Sequence, residues 1–405
     1  MRHAIRLLTT LLGIVLATPA MALDARFAGF GTASLSCFGS EAADFVNNDQ
    51  PEGPGRTRDC DSGLDSMLGV QLDVDLSETF DAGVQLLAER NVEGDFDPRV
   101  SVAQLRWHPS ATTTVRVGRM PSASFLHAED RRVRYALPWV RPPLEVYGML
   151  PVFVQDGVDV LHVSPFGTWT GEWHLGVAQS DFEYPVPSIG DTGEVESEAV
   201  FGHLLLRRGG TQFKAGYAFG NMTVHQAQLD AFHDLLNSLG PVGQDIADDM
   251  SVKDVRTHLL TFGASHERND WLLMGEFGYR AIERGLRDQF GAYVTVGRRF
   301  GPWMPYFTLG RRWTHGDDTD SRAAMFGPQI EAAVEGFLAT SKWDSESVSL
   351  GLSRELGRQA TLKFQADWVK PDDDSWGLLT NHGPDYDFAH PDSDWLFTLS
   401  LDFVF

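Results

Sequence analysis

From Arg26 to Phe405 the chain keeps returning to one pattern. Runs of about ten residues, the strand length that crosses a tilted barrel wall, place an apolar side chain at every second position. Successive side chains of a strand point to opposite faces, so each run has one apolar and one polar face. The last run is the clearest. Trp395, Phe397, Leu399, Leu401, Phe403 and Phe405 alternate with Thr398, Ser400 and Asp402 between them. A sheet made of such runs separates an apolar medium from water.

The runs pair into hairpins. Arg26 to Cys37 opens the series, and Met67–Leu76 turns at 77–79 into Phe80–Arg90. Val100–Trp107 joins Thr113–Met120, Val152–Val163 joins Thr168–Gln179, and Ala199–Arg207 joins Gln212–Asn221. Arg256–His266 joins Trp271–Arg280, Phe290–Arg299 joins Met304–Trp313, and Glu346–Arg354 joins Ala360–Val369. Asp394–Phe405 closes it, giving sixteen runs. The tight turns at 77–79, 108–112, 164–167, 208–210, 267–270, 300–302 and 355–359 all fall on one side, and the long polar segments on the other. Even strand number, short turns on one side and long loops on the other are the marks of a bacterial transmembrane barrel. The expected fold class is therefore all-β, a sixteen-stranded antiparallel barrel with periplasmic turns and outer loops. Trp107, Trp173, Trp271, Trp303, Trp313, Trp368 and Trp395 stand near strand ends, as an interfacial girdle would.

The first residues give the compartment. Arg2 and Arg6 precede the apolar stretch Leu7–Ala17, and Ala20-Met21-Ala22 supplies small residues for cleavage. Residues 1–22 read as a secretory signal and 23–405 as one barrel domain. The apolar stretch is shorter than the roughly 20 residues a helical span needs. A net charge of −23 argues against a nucleic-acid partner, which would require basic patches. The acidic runs Asp317-Asp318-Thr319-Asp320 and Asp372-Asp373-Asp374 read as solvated loop charge, or as divalent-cation sites beside lipopolysaccharide. Cys37 and Cys60 are the only cysteines. After export they are expected to form a disulfide, worth about 3 to 4 kcal/mol through lost chain entropy.

Competing classes lack their signatures. A propeller or β-helix needs a fixed repeat, and HExxH and GxSxG are both absent, which removes the usual metalloprotease and hydrolase mechanics. No cofactor is expected. Segment 224–239 carries Leu229, Phe232, Leu235, Leu236 and Leu239 at near-helical spacing, which suggests a short helix in the fifth outer loop rather than a metal site built on His225 and His233.

Signal, sixteen alternating runs, a long third outer loop and a terminal Phe405 together resemble the Gram-negative outer-membrane porin family. The segment Tyr135–Gly148 is similar to one in porin-like proteobacterial proteins. The resemblance implies passive diffusion of small hydrophilic solutes through a water-filled channel, contact with outer-membrane lipid and lipopolysaccharide, and a homotrimer. It also implies that residues 121–151 fold inward as a constriction. That loop carries Glu129, Asp130, Arg131, Arg132, Arg134 and Glu145, and is stiffened by Pro138, Pro142 and Pro143, which fix φ. Strand parity independently puts Gln71, Asp73, Asp75, Gln104, Arg106, Arg116, Lys214, Lys363, Gln365 and Asp367 on the inner face. Candidate pore residues are thus Asp73, Arg106, Arg116, Glu129, Asp130, Arg131, Arg132, Arg134 and Glu145. Arginines opposite loop carboxylates would set up a transverse field; alternatively they form salt bridges that brace the loop. A substrate-selective channel for an organic acid, sugar or phosphate is the second reading, and an outer-membrane enzyme the third.

Overall fold

The structure, a computed structural model, describes residues 24–47, 50–150, 152–186 and 191–405. Residues 1–22, read above as a signal, lie outside the described residues. Sixteen long strands make the wall: β1 (Asp24–Phe38), β2 (Met67–Asp75), β3 (Phe80–Glu89), β4 (Arg99–Ser110), β5 (Thr113–Pro121), β6 (Val154–Phe166), β7 (Trp169–Val186) and β8 (Asp191–Arg208). The second half is β9 (Thr211–His225), β10 (Val255–Arg268), β11 (Trp271–Ile282), β12 (Asp288–Arg298), β13 (Trp303–His315), β14 (Ser345–Glu355), β15 (Ala360–Pro371) and β16 (Asp394–Val404). Each pairs antiparallel with its chain neighbours, and β1 closes on β16 from Phe30↔Val404 to Phe38↔Leu396. Closure leaves no free sheet edge, which a backbone in lipid could not afford.

The alternation places the side chains as the sequence implies. Phe27, Leu175 and Val200 are 59–65% exposed on the outside, and Trp107, Trp173, Trp271, Trp303 and Trp395 are exposed with them. Thr398, Ser400 and Asp402 on the same closing strand are buried inside. This exposed apolar belt around a polar interior is stable only with hydrocarbon outside. The tight turns use the expected chemistry: Asn269 (φ 51°) and Asp270 (φ 68°) both take the left-handed region that the two-residue hairpin between β10 and β11 demands. On β1, Gly29 and Gly31 leave room for aromatic rings. A Cβ on Gly29 would lie 2.2 Å from Phe405, and one on Gly31 would lie 2.5 Å from Phe403.

Cys37 and Cys60 are bonded, as expected, fastening the first outer loop to the end of β1. The strands also depart from expectation. β7 and β8 run to Val186 and from Asp191, well past the Gln179 and Ala199 boundaries expected from the sequence. The extension is rich in Glu and Asp, so it read as loop, but Phe182, Tyr184 and Val195 give it an inner apolar face. The expected helix appears as α2 (Ala227–Ser238), and sequence reading missed α3 (Pro241–Asp249) and α4 (Pro328–Ala339). Leu236, Ile246, Met250, Val334 and Phe337 pack them into one apolar cluster over the outer side of the barrel. The acidic runs are paired in part: Arg287 binds Asp318 at 2.6 Å, Arg322 binds Asp320 at 2.5 Å and Arg311 binds Asp372 at 2.5 Å.

Candidate functional site

Segment 121–150 lies inside the barrel and is bonded to the wall along its length. Lys214 on β9 donates to the carbonyls of Ala123 and Phe125, both at 2.6 Å. Lys363 on β15 donates to Arg134 at 2.7 Å and Trp139 at 2.8 Å, again to carbonyl oxygens. Trp139 Nε1–H reaches Thr295 Oγ1 on β12 at 3.0 Å, and the Val140 N–H reaches Gln365 Oε1 on β15 at 2.9 Å. Tyr147 Oη–H donates to Glu276 on β11, which also accepts from Tyr293 at 2.6 Å. Wall residues that would otherwise solvate a lumen therefore complete the loop's backbone valences, which an irregular segment at membrane depth requires.

The loop's short helix, α1 (Leu144–Tyr147), explains two wall glycines. A Cβ on Gly291 would sit 2.0 Å from the Glu145 carbonyl oxygen, and one on Gly310 would sit 2.5 Å from the Glu145 carboxyl carbon. Glycine there lets a helix lie directly on the sheet. Around it Phe125, Leu137, Trp139, Val146 and Tyr147 form an apolar core with Leu272, Met274, Tyr293 and Tyr306 of the wall. Burial of this kind contributes about 1.5–3 kcal/mol per large side chain, so the loop is held by packing as well as by hydrogen bonds.

Charge is arranged mainly in closed pairs. Arg116 binds Asp159 at 2.6 Å and Glu129 at 2.9 Å, and His174 joins Asp159 at 2.5 Å. Arg132 takes Glu89 at 2.6 Å, and Arg131 lies over the Phe153 ring at 4.1 Å. Arg134 and Arg141 both bind Asp65 of the first outer loop, at 2.7 and 2.5 Å. Burial alone would raise the Asp65 carboxyl, yet these two guanidiniums hold it down at about 2. Arg106 binds Asp73 and Asp81 of neighbouring strands rather than the loop. Glu145 is buried and accepts from Ser347. Glu129 and Asp130 keep roughly the most water contact, at 37% and 49% side-chain exposure. Arg106, Arg132, Arg134 and Arg141 are joined to carboxylates outside the loop. Bracing is thus the dominant arrangement, with Arg116–Glu129, Arg132–Glu89 and Arg141–Asp367 joining wall and loop.

Sequence reading missed Asp65, Asp159, His174 and Glu276. Parity from Leu273 outward would have put Glu276 inside, but Asp65 lies in a polar loop with no period to read. Above the loop, on the outer side, two chambers adjoin at Val152, Phe153 and Phe182. One, of about 400 Å³, is polar and edged by Glu89, Arg90, Arg99, Arg119, Arg132 and Asp181. The other, of about 510 Å³, has a largely apolar wall including Phe182, Tyr184, Val224, Leu286 and Phe337.

The sequence matches no family profile and no curated protein. Solved structures with this architecture do exist. The trimer form of the in-vitro folded outer-membrane protein OmpT of Vibrio cholerae superposes with a TM-score of 0.56 at 11% identity, covering 95% of this chain and 100% of that one. The outer-membrane channel DcaP of Acinetobacter baumannii gives 0.56 at 11% identity, over 96% and 99% of the two chains. An anion-selective porin from Comamonas acidovorans gives 0.51 at 13% identity, over 95% and 100%. The chain has the fold of Gram-negative outer-membrane porins.

Proposed function

We propose that this chain is a porin of the bacterial outer membrane, a water-filled channel for passive diffusion of small hydrophilic solutes and ions, working without catalysis. The observation that carries this reading is the inward segment 121–150, fastened to strands from β9 to β15 within a closed sixteen-stranded wall. A fixed loop narrows a lumen reproducibly, so size and charge limits stay constant during conduction. The constriction consists of Glu129, Asp130, Arg131 and Arg132 on the loop, with Asp73 and Arg106 on the wall and Arg116, Arg134 and Glu145 fixing the loop's seat. Support for a polar route comes from the 400 Å³ chamber and its charged edge. Residues 1–22 serve as the export signal, lipid and lipopolysaccharide surround the belt, and three copies assemble, as in the OmpT trimer form.

Liposome swelling tests the reading. Vesicles carrying the full chain should swell quickly in isosmotic arabinose and slowly in raffinose. Absence of swelling from protein that is folded in the bilayer would refute a diffusion channel.

A further inference from the structure

At the outer ends of β11 to β14 four buried polar side chains stand in a row across consecutive strands. Arg280 on β11 is paired in register with Gln289 on β12, and Arg312 on β13 with Ser345 on β14. Their relative exposures are 8%, 0%, 2% and 1% in that order. Each carries a buried atom without a hydrogen-bond partner among the described residues: Arg280 Nε, Gln289 Nε2, Arg312 Nε and Ser345 Oγ. All four atoms can donate a proton. Leaving a buried donor unmet is costly, and four in one row is a concentration of donors facing no acceptor.

The row is also cationic, and the carboxylates near it, Asp288 by Arg280 and Glu145 and Asp344 by Arg312, make no direct ion pair with it. Neither Arg280 nor Arg312 has an ion-pair partner among the described residues, unlike Arg116, Arg132, Arg134 and Arg141. These carboxylates accept hydrogen bonds from neutral groups instead. Ser347 donates to Glu145, Tyr279 Oη–H and the Ile282 N–H bind Asp288, and Thr314 holds Asp344. The two guanidiniums converge on one turn of the inward loop. Arg280 donates to the Met149 carbonyl at 2.7 Å, while Arg312 Nη1 is 3.4 Å from where a Cβ on Gly148 would be. Arg312 further donates to Gln289 Oε1 at 2.6 Å, which turns the amide's NH₂ away from that contact, and lies 5.0 Å from the centre of the Trp343 ring.

Arg280, Gly148, Trp343, Leu286 and Phe337 all line the 510 Å³ chamber. A cationic end and an apolar body in one chamber match a ligand built the same way. From this juxtaposition we infer that the outer vestibule is a binding site for small organic carboxylates with an apolar body. The carboxylate meets Arg280, the member of the row that lines the chamber, with the buried Arg312 adding positive charge beside it, and the body lies against Leu286, Phe337 and their apolar neighbours. Guanidinium forks suit a carboxylate's two oxygens, and a mostly apolar lining with a few polar fixtures is the usual design of a small-molecule site. The inference deepens the channel reading, since it names a solute class that the vestibule would gather.

Benzoate binding to the full chain in detergent, followed by calorimetry, tests this, with acetate, inorganic phosphate and benzyl alcohol as comparison ligands. Conductance in KCl is recorded on the same preparation. Benzoate should bind at least about tenfold more tightly than any of the other three. Arg280→Gln should weaken it about tenfold or more, and Phe337→Ser should narrow the gap between benzoate and acetate. Phosphate binding as tightly as benzoate, benzyl alcohol doing so, or Arg280→Gln leaving affinity unchanged in folded protein would each overturn the inference. A conducting protein that ignores benzoate refutes the site and leaves the channel standing. A silent protein that binds benzoate does the reverse. If Arg280→Gln fails to fold, the Phe337→Ser comparison decides.

Discussion

Arg141 of the inward loop and Asp65 of the first outer loop, 76 positions apart in sequence, form a fully buried ion pair of 2.5 Å. The same guanidinium reaches Asp367 on β15 at 2.8 Å and Thr398 on β16 at 2.7 Å. Two loops and two strands thus meet at one side chain, and the position of the inward segment depends on it.

Asp65→Asn removes the charge shared by Arg134 and Arg141 and leaves two guanidiniums buried with less compensation. Breaking a buried pair costs about 3–5 kcal/mol. The expected result is a lower unfolding midpoint and faster proteolysis within 121–150, with the strand signal in circular dichroism intact below the transition. An unchanged midpoint would show that the pair does not hold the loop.

Arg106→Gln tests the wall. Its guanidinium neutralises Asp73 and Asp81 together, so the substitution exposes two carboxylates on the inner face. Reversal potentials under a KCl gradient should move toward cation preference. A shift toward anions, or none, contradicts a lumen route past these residues.

The disulfide acts at a distance from the pore. Cys37→Ala with Cys60→Ala should lower stability by about 2–5 kcal/mol and loosen the first outer loop, which carries Asp65. Urea titration against the oxidised protein measures the loss, and equal midpoints would contradict it.

One outer-loop group gives a pH dependence. Burial beside Trp376 and Tyr386, with ring centres 4.6 and 4.3 Å away, pushes His382 down to about 4. An unfolded histidine titrates near 6.5, so between about 6.5 and 4 the unfolded loop binds the extra proton. Stability from this group is full above 6.5 and falls as pH drops toward 4. Proteolysis of segment 372–393 should accelerate from pH 7.5 to 5, and His382→Gln should flatten that dependence. Equal slopes in both proteins would rule out His382 as the cause.

Much of the wall was legible because one face of each strand meets lipid and the other does not. Leu399 and Leu401 against Ser400 and Asp402 leave no choice of register, since a one-residue slip exchanges the two sets. Lys214, Lys363 and Gln365 were placed inside by the same rule. Their partners were not readable, because a lysine that caps a loop carbonyl and one that faces water have the same sequence. Asp65, and the donor row from Arg280 to Ser345, depend on pairings between distant segments. The length of β7 and β8 was hidden because acidic residues project outward beyond the belt, where polarity no longer separates strand from loop.

Single-channel recording of the purified chain in planar bilayers tests the diffusion channel itself. Discrete, stable conductance steps in KCl are expected, and for Asp65→Asn larger current noise as segment 121–150 loses its anchor. Persistent silence from protein folded in the membrane, or steps unaffected by loosening that segment, would contradict it.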